Sequence, residues 1–241
     1  MAKAKASPKK KAAPAPKAPL PQRIKRWAVR GVLGLAGFFL LWIIAYSFIA
    51  PPITPYMLGE RRVLGEVEYE WADAENISPM VFEAVVAAED ANFCQHWGFD
   101  VGAIRAAIEE GADRGASTIT QQVVKNAFLW HGRSWVRKAL EASMTPVVEL
   151  LWSKRRILEV YVNIAEFDEG VFGVAAAARH HFGVGPDELS EVQAARLAMV
   201  LPSPKLRSAS RPTSRERART ASILDGAHTI RKDGRADCFR D

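Results

Sequence analysis

The chain has 241 residues, of which 49% are hydrophobic and 25% charged, with a formal net charge of +6. That balance suits a globular protein and excludes a wholly disordered or fibrous one. The excess charge is local: the first 26 residues hold nine Lys or Arg and no acid, while residues 27–241 carry 24 Lys and Arg against 27 Asp and Glu, a net of −3. The calculated pI of about 9.4 is therefore no sign of nucleic-acid binding. Cys94 and Cys238 are the two cysteines; they could pair in an oxidising compartment, but two make no disulfide framework.

Residues 1–26, dominated by Lys, Ala and Pro, cannot bury a core and read as a disordered basic tail. Residues 27–50 read as a transmembrane anchor. Gly31 to Ala50 is a run of 20 uncharged residues closed by Pro51 and Pro52, long enough for a hydrocarbon core of about 30 Å. Arg30 can snorkel to the interface, and Trp27, Trp42 and Tyr46 suit its boundaries. A cleaved signal peptide would have a shorter apolar stretch and a small-x-small end. The expectation is an uncleaved single-pass anchor with a cytoplasmic N-terminus and the rest outside. A linker over 51–64, a main domain over 65–225 and a C-terminal tail over 226–241 complete the predicted organisation.

The domain is expected to be mainly α. Ser78 as N-cap and Pro79 at the first helical position open an apolar helix that ends at Glu89 and Asp90. A second helix is expected over 104–112, and Thr118 with Gln121 makes a capping box for a third, ending near Phe128. Residues 133–145 and 146–152 form one kinked helix or two, Ser153 caps a helix to Ile164, and 171–182 is helical up to Gly183. Ser190 and Gln193 cap the last strong helix, which stops before Pro202. Strand patterns are scarce.

Four stretches carry chemistry. In the first helix Phe82, Val85, Val86 and Glu89 recur at i, i+3, i+4 and i+7, which aligns Glu89 with the buried stripe. A carboxylate there loses water and its pKa rises, which suits a general acid or base near neutral pH; an isolated Glu would more often be a solvated helix end. The second stretch is Gly115 to Asn126, where Ser117, Gln121 and Lys125 form a polar ladder at i, i+4 and i+8, with an anion-ready helix start. The third is Arg133 followed by Arg137, Lys138 and Glu141, which surrounds a carboxylate with cations, as many surface helices do. The fourth is Lys154 to Asn163, whose basic first turn opposes the helix dipole and suggests a neighbouring anion. No Cys/His metal spacing or Gly-rich phosphate loop is present.

The order Glu-Asp-x-x-Phe-x-x-His-x-Gly-x-Asp, Gly-x-Ser-Thr-Ile-Thr-Gln-Gln-x-x-Lys-Asn, Arg-Lys-x-x-Glu and Lys-x-x-Ile-Leu-Glu-x-Tyr-x-Asn, followed by Arg196 to Pro204, resembles the peptidoglycan glycosyltransferases of glycosyltransferase family 51. The likeness spans roughly residues 65–210, and the lack of room for a transpeptidase domain points to the monofunctional biosynthetic branch. It implies a lysozyme-like helical glycosyltransferase domain with a small membrane-touching lobe. It also implies polymerisation of lipid II at the bacterial inner membrane, with release of undecaprenyl diphosphate and a periplasmic catalytic domain. Glu89 matches the base that deprotonates the acceptor 4-hydroxyl, with inversion at the donor carbon. Asp90 and Phe93 match residues of the same motif. Ser117, Gln121, Gln122, Lys125 and Asn126 match the second motif, and Lys125 and Arg133 would hold the donor pyrophosphate. Arg137, Lys138 and the required Glu141 match the third, where Glu141 orients the base or balances the cations. Lys154 falls on the fourth, as do Glu159 and Asn163, whose roles are expected to be structural.

No cofactor is required on this reading; a divalent cation, Mg or Mn, would at most accompany the pyrophosphate. The implied partners are lipid II, the lipid-linked glycan, the membrane and proteins of wall synthesis or division, with no nucleic acid among them. Ala116, where the family usually has Gly, and Cys94, expected as a buried or cleft-lining thiol, depart from the pattern. Two rival functions are a membrane-anchored muramidase or lytic transglycosylase, and a non-catalytic wall-synthesis scaffold. A muramidase has no need of the cation cluster, and intact motif residues disfavour a scaffold.

Overall fold

The structure, a computed structural model, describes residues 20–109, 111, 117–132 and 134–240. Arg133 and Ala116, both singled out above, lie outside the described residues, as does most of the basic tail. The chain divides into two units, residues 1–42 and 43–241. Helix α1 (Leu20–Tyr46), whose residues up to Trp42 belong to the first unit, begins within the predicted tail rather than at Trp27. Its segment Gln22–Tyr46 is long and apolar enough to cross a membrane, and Val32, Leu33 and Leu41 are exposed.

The second unit is mainly α, as expected. Helix α2 (Pro55–Leu64) occupies the stretch predicted as linker, with Thr54 as N-cap accepting from the Met57 amide at 3.2 Å and Pro55 at the first position. Strand signals are correspondingly few: β1 (Glu68–Tyr69), β2 (Glu166–Asp168) and β3 (Val171–Phe172) form a small sheet in the order β1-β3-β2. β1 pairs with β3 in parallel, and β2 with β3 antiparallel, with an irregular register between Glu166 and Asp168. The remaining helices are α3 (Pro79–Glu89), α4 (Val101–Glu109), α5 (Ile119–Phe128), α6 (Trp135–Leu151), α7 (Lys154–Ile164), α8 (Val174–Phe182), α9 (Glu191–Val200) and α10 (Ser214–Lys232). α3, α9 and α10 pack as one group, while α5 packs on α6 and α7.

Caps account for most helix starts. Thr118 with Gln121 and Ser190 with Gln193 form the expected capping boxes, and Thr213 with Glu216 forms a third that was not foreseen. Residues 135–151 are one helix with Pro146 inside it. The helix predicted over 171–182 is corrected: Val171 and Phe172 belong to the sheet, and α8 starts only after Gly173. Gly173 has φ +84, and a Cβ there would lie 2.7 Å from the Asn163 carbonyl oxygen, so this break needs glycine.

The C-terminal segment also differs from its prediction. α10 runs through the boundary placed at 225, burying Ile223, Ala227 and Ile230 against the group formed with α3 and α9. Buried Glu83, on α3, is held by the Arg231 guanidinium of α10. Such a charge is tolerable only with a partner. Beyond α10, Cys238 is joined to Cys94, whose Cα is 5.7 Å away across 144 residues. The two cysteines thus form the pair open to them, and Cys94 is half of a disulfide in place of the buried or cleft-lining thiol expected of its motif. Removing a cross-link of this span costs about 2–5 kcal/mol by loss of unfolded-state constraint. Cys94→Ser/Cys238→Ser is expected to lower the unfolding free energy in urea by that amount. The same loss should follow when the wild type is reduced, and an unchanged midpoint in both would refute it.

Candidate active site

The first motif is a folded joint between α3 and α5. Asp90, at the end of α3, is buried; its Oδ2 accepts the Ile119 amide at the start of α5 at 2.9 Å, and its Oδ1 lies 2.8 Å from His96 Nε2. Asp90 therefore satisfies an open helix-start donor. Phe93 is fully buried beneath the Lys154 ammonium, 4.3 Å from its ring centre, and packs against Phe239. Gly98, at φ +79, lets the loop lie against α6, since a Cβ would meet Thr145 Cγ2 at 2.6 Å. Its carbonyl accepts Thr118 Oγ1 at 2.7 Å. Unlike buried Asp90, the neighbouring Glu89 is only partly covered.

Glu89 Oε2 accepts a bond from Gln122 Nε2 at 2.9 Å, and Gln122 Oε1 in turn accepts the Tyr161 hydroxyl at 3.1 Å. Because the Tyr161 hydroxyl donates to the amide oxygen, the amide nitrogen is turned toward Glu89. Protein surrounds most of the Glu89 carboxylate even though its outer edge is open. This desolvation raises its pKa, against the Gln122 bond and the nearby charges of Arg219, Lys125 and Arg207. The result is a carboxylate with a raised proton affinity that is still held among cations.

A cavity of about 470 Å³ opens beside this group, lined by Gln122, Lys125, Asn126, Tyr161 and residues of the 201–206 turn among others. Lys125 has its pKa lowered chiefly by burial, partly offset by the Glu141 and Glu89 charges. Buried Glu141 binds Arg137 Nη1 at 2.8 Å and also the Lys138 ammonium, and Lys138 Nζ reaches Ser117 Oγ at 3.4 Å. Glu141 thus ties the third motif to the second and sits among cations. No contact with Glu89 is seen among the described residues.

Not every sequence-predicted site residue faces the cavity. Asp90, Phe93 and Gln121 are consumed in scaffolding; Gln121 Oε1 accepts the Thr118 amide at 3.1 Å in the capping box. Lys154 Nζ bonds the His96 carbonyl at 2.8 Å and Glu149 Oε1 at 2.9 Å, so the anion its helix start called for is internal. Arg156, in the same turn, binds Glu159 and the carbonyls of Tyr46 and Ile49. The structural roles foreseen for Glu159 and Asn163 appear directly: Glu159 accepts the Ala74 amide, and Asn163 bonds both backbone groups of Ala72. The run from Ala127 to Trp130 divides, with Ala127, Phe128 and Leu129 buried and Trp130 exposed beside exposed Trp135 and Val136.

A family profile described as Transglycosylase matches residues 58–228 of the chain. The chain belongs to the transglycosylase family. Among relatives, a biosynthetic peptidoglycan transglycosylase of Jannaschia sp. (strain CCS1) is 58% identical over 220 residues, covering 91% of this chain and 92% of its own. Proteins of the same name from Pseudomonas putida (strain GB-1) and Yersinia pseudotuberculosis serotype O:1b (strain IP 31758) are 50% and 44% identical. They cover 81% and 85% of this chain and 86% and 90% of their own lengths.

The transglycosylase cleft has a second wall that the motifs did not announce. Tyr56 of α2 bonds the Glu166 carboxylate and stacks on His131, with ring centres 4.4 Å apart. Lys205 reaches Glu60 and lies 3.8 Å from Glu166 Oε1. Burial raises the pKa of Glu166 and of the Tyr56 hydroxyl, and lowers that of His131. Glu166 follows a helix end and Tyr56 lies in a predicted linker, so neither carried a local signal.

Proposed function

We propose that the protein polymerises lipid II by inverting glycosyl transfer, with Glu89 as general base. Membership of the transglycosylase family, with relatives named biosynthetic peptidoglycan transglycosylases, makes it a peptidoglycan glycosyltransferase of cell-wall synthesis. The observation that carries the mechanism is Glu89: a desolvated carboxylate, oriented by Gln122 at the edge of a cavity that Lys125 lines. In this reading Glu89 takes the proton of the acceptor's 4-hydroxyl. The freed oxygen bonds to the donor anomeric carbon from the face opposite its phosphate. The carbon–oxygen bond to the lipid pyrophosphate breaks, and the electron pair leaves with the pyrophosphate.

That leaving group gains charge in the transition state, where fixed cations stabilise it differentially. Lys125 and the Arg137–Lys138 pair supply them, and Glu141 keeps the pair in place and offsets its charge. A stable pyrophosphate anion needs no strong acid, whereas cleavage between sugars does. No cofactor is needed for these steps, and a Mg or Mn ion would act as the pyrophosphate's counterion. A membrane-length N-terminal helix and exposed Trp130, Trp135 and Val136 support a membrane-anchored, lipid-facing enzyme. The Cys94–Cys238 disulfide favours the oxidising, periplasmic side.

Purified protein incubated with labelled lipid II in detergent is expected to produce lipid-linked glycan polymer, suppressed by a phosphoglycolipid that mimics the donor. Soluble muropeptides released from isolated wall, with no polymer from lipid II, would replace this reading with the lytic one.

A further inference from the structure

The hairpin beyond the cleft carries a cluster that the transfer chemistry does not use. His180 and His181 follow one another in the last turn of α8, and Asp168 ends β2. His180 Nε2 is 3.4 Å and His181 Nε2 3.9 Å from the same Asp168 Oδ2. One donor atom from each of the three residues lies within 4.8 Å of the others. These gaps are wide for direct hydrogen bonds. They approach the spacing of about 3.3–3.5 Å between donors that each stand about 2.0–2.1 Å from a tetrahedral ion.

The surroundings suit ligation. On its other side, His180 Nδ1 stands 4.0 Å from Glu68 Oε1, too far for a hydrogen bond, so that carboxylate contributes negative charge near the site and no direct contact. His181 is buried, so an ion it held would be partly shielded from water. Its Nε2 also lies 3.3 Å from the Phe167 carbonyl oxygen. Ligation moves the ring proton to Nδ1 and gives up that contact. Asp168 and His180 keep about a third of their side chains exposed, 33% and 38%, which leaves a path for an ion and room for water as a further ligand.

We propose that Asp168, His180 and His181 bind a divalent ion of the zinc class, clipping the end of β2 to the end of α8. Two imidazoles and one carboxylate favour zinc over magnesium or calcium, which take oxygen ligands. The clip is distinct from the reaction centre, since none of the three residues lines the cavity. It adjoins the cleft through Glu166, two positions earlier on the same strand. Chain spacing hid the site: adjacent histidines are not a ligand pattern, and the third ligand arrives through the hairpin and the break at Gly173.

The test is titration of the chelator-treated full chain with zinc chloride in detergent, by calorimetry and by thermal unfolding. We expect saturable binding of about one ion per chain and a higher melting temperature with zinc, with no competition from equimolar magnesium. Asp168→Asn and His180→Gln, both at partly exposed positions, should each weaken binding by more than about tenfold. Binding that never saturates, or that is unchanged in Asp168→Asn and His180→Gln, overturns the proposal. None of these readouts depends on glycosyl transfer, so either reading can fail alone.

Discussion

Glu89→Gln is expected to lower the rate of lipid II polymerisation by about 10²–10⁴-fold, the usual contribution of a positioned general base. Glutamine keeps the shape and can still meet Gln122, so the fold should survive. Stability offers a second, independent signature. The folded-state pKa of Glu89 is raised above the ordinary 4.5, so between those two values the folded protein binds more protons than the unfolded chain. Stability therefore falls as pH rises through that window. The neutral amide removes this penalty, and the variant's melting temperature at neutral pH should equal or exceed that of the wild type. In the active enzyme the base must be ionised, so kcat/KM should rise with pH along an acid limb set by the raised Glu89 value. A Glu89→Gln enzyme with near-normal turnover would end the assignment.

Lys125→Ala should lower activity by about 10²–10³-fold, comparable with removing one preorganised donor from a developing anion. Two effects combine. The leaving pyrophosphate loses a cation in a partly dry cavity, and Glu89 loses one of the charges that favour its ionised form. The acid limb of the pH profile should accordingly move to higher pH, which a purely structural lysine would not cause. Lys125→Arg keeps the charge and should recover part of the rate and most of the profile. An unmoved limb in Lys125→Ala would show that Lys125 and Glu89 do not share one site.

The parts of the fold legible beforehand are those written in short-range chemistry. The capping boxes at Thr118 and Ser190 close within three residues, and both helices start where their sequence signals stand. The apolar spacing from Phe82 to Val86 put Glu89 in line with the core, and the structure leaves it partly covered, bonded to the cavity-lining Gln122. The stretch from Val171 to Phe172 misled because alternating and helical patterns cannot be told apart over so few residues. There the sheet partners Glu68 and Tyr69, about a hundred residues earlier, prevailed over helix propensity.

The sequence by itself determined a membrane-length helix, a mainly helical domain, the order of the five motifs and Glu89 as the carboxylate to watch. Only the tertiary structure decided which motif residues line the cavity and which face one another. Asp90 serves the α5 amide, Lys154 serves the His96 carbonyl, and Asn163 serves the backbone of Ala72. It also joined Cys94 to Cys238 and built a cleft wall from Tyr56, Glu166 and Lys205. The physical reason is range. Propensity, capping and periodicity act over a few residues, whereas burial and charge pairing depend on neighbours brought together from dozens to more than a hundred positions away.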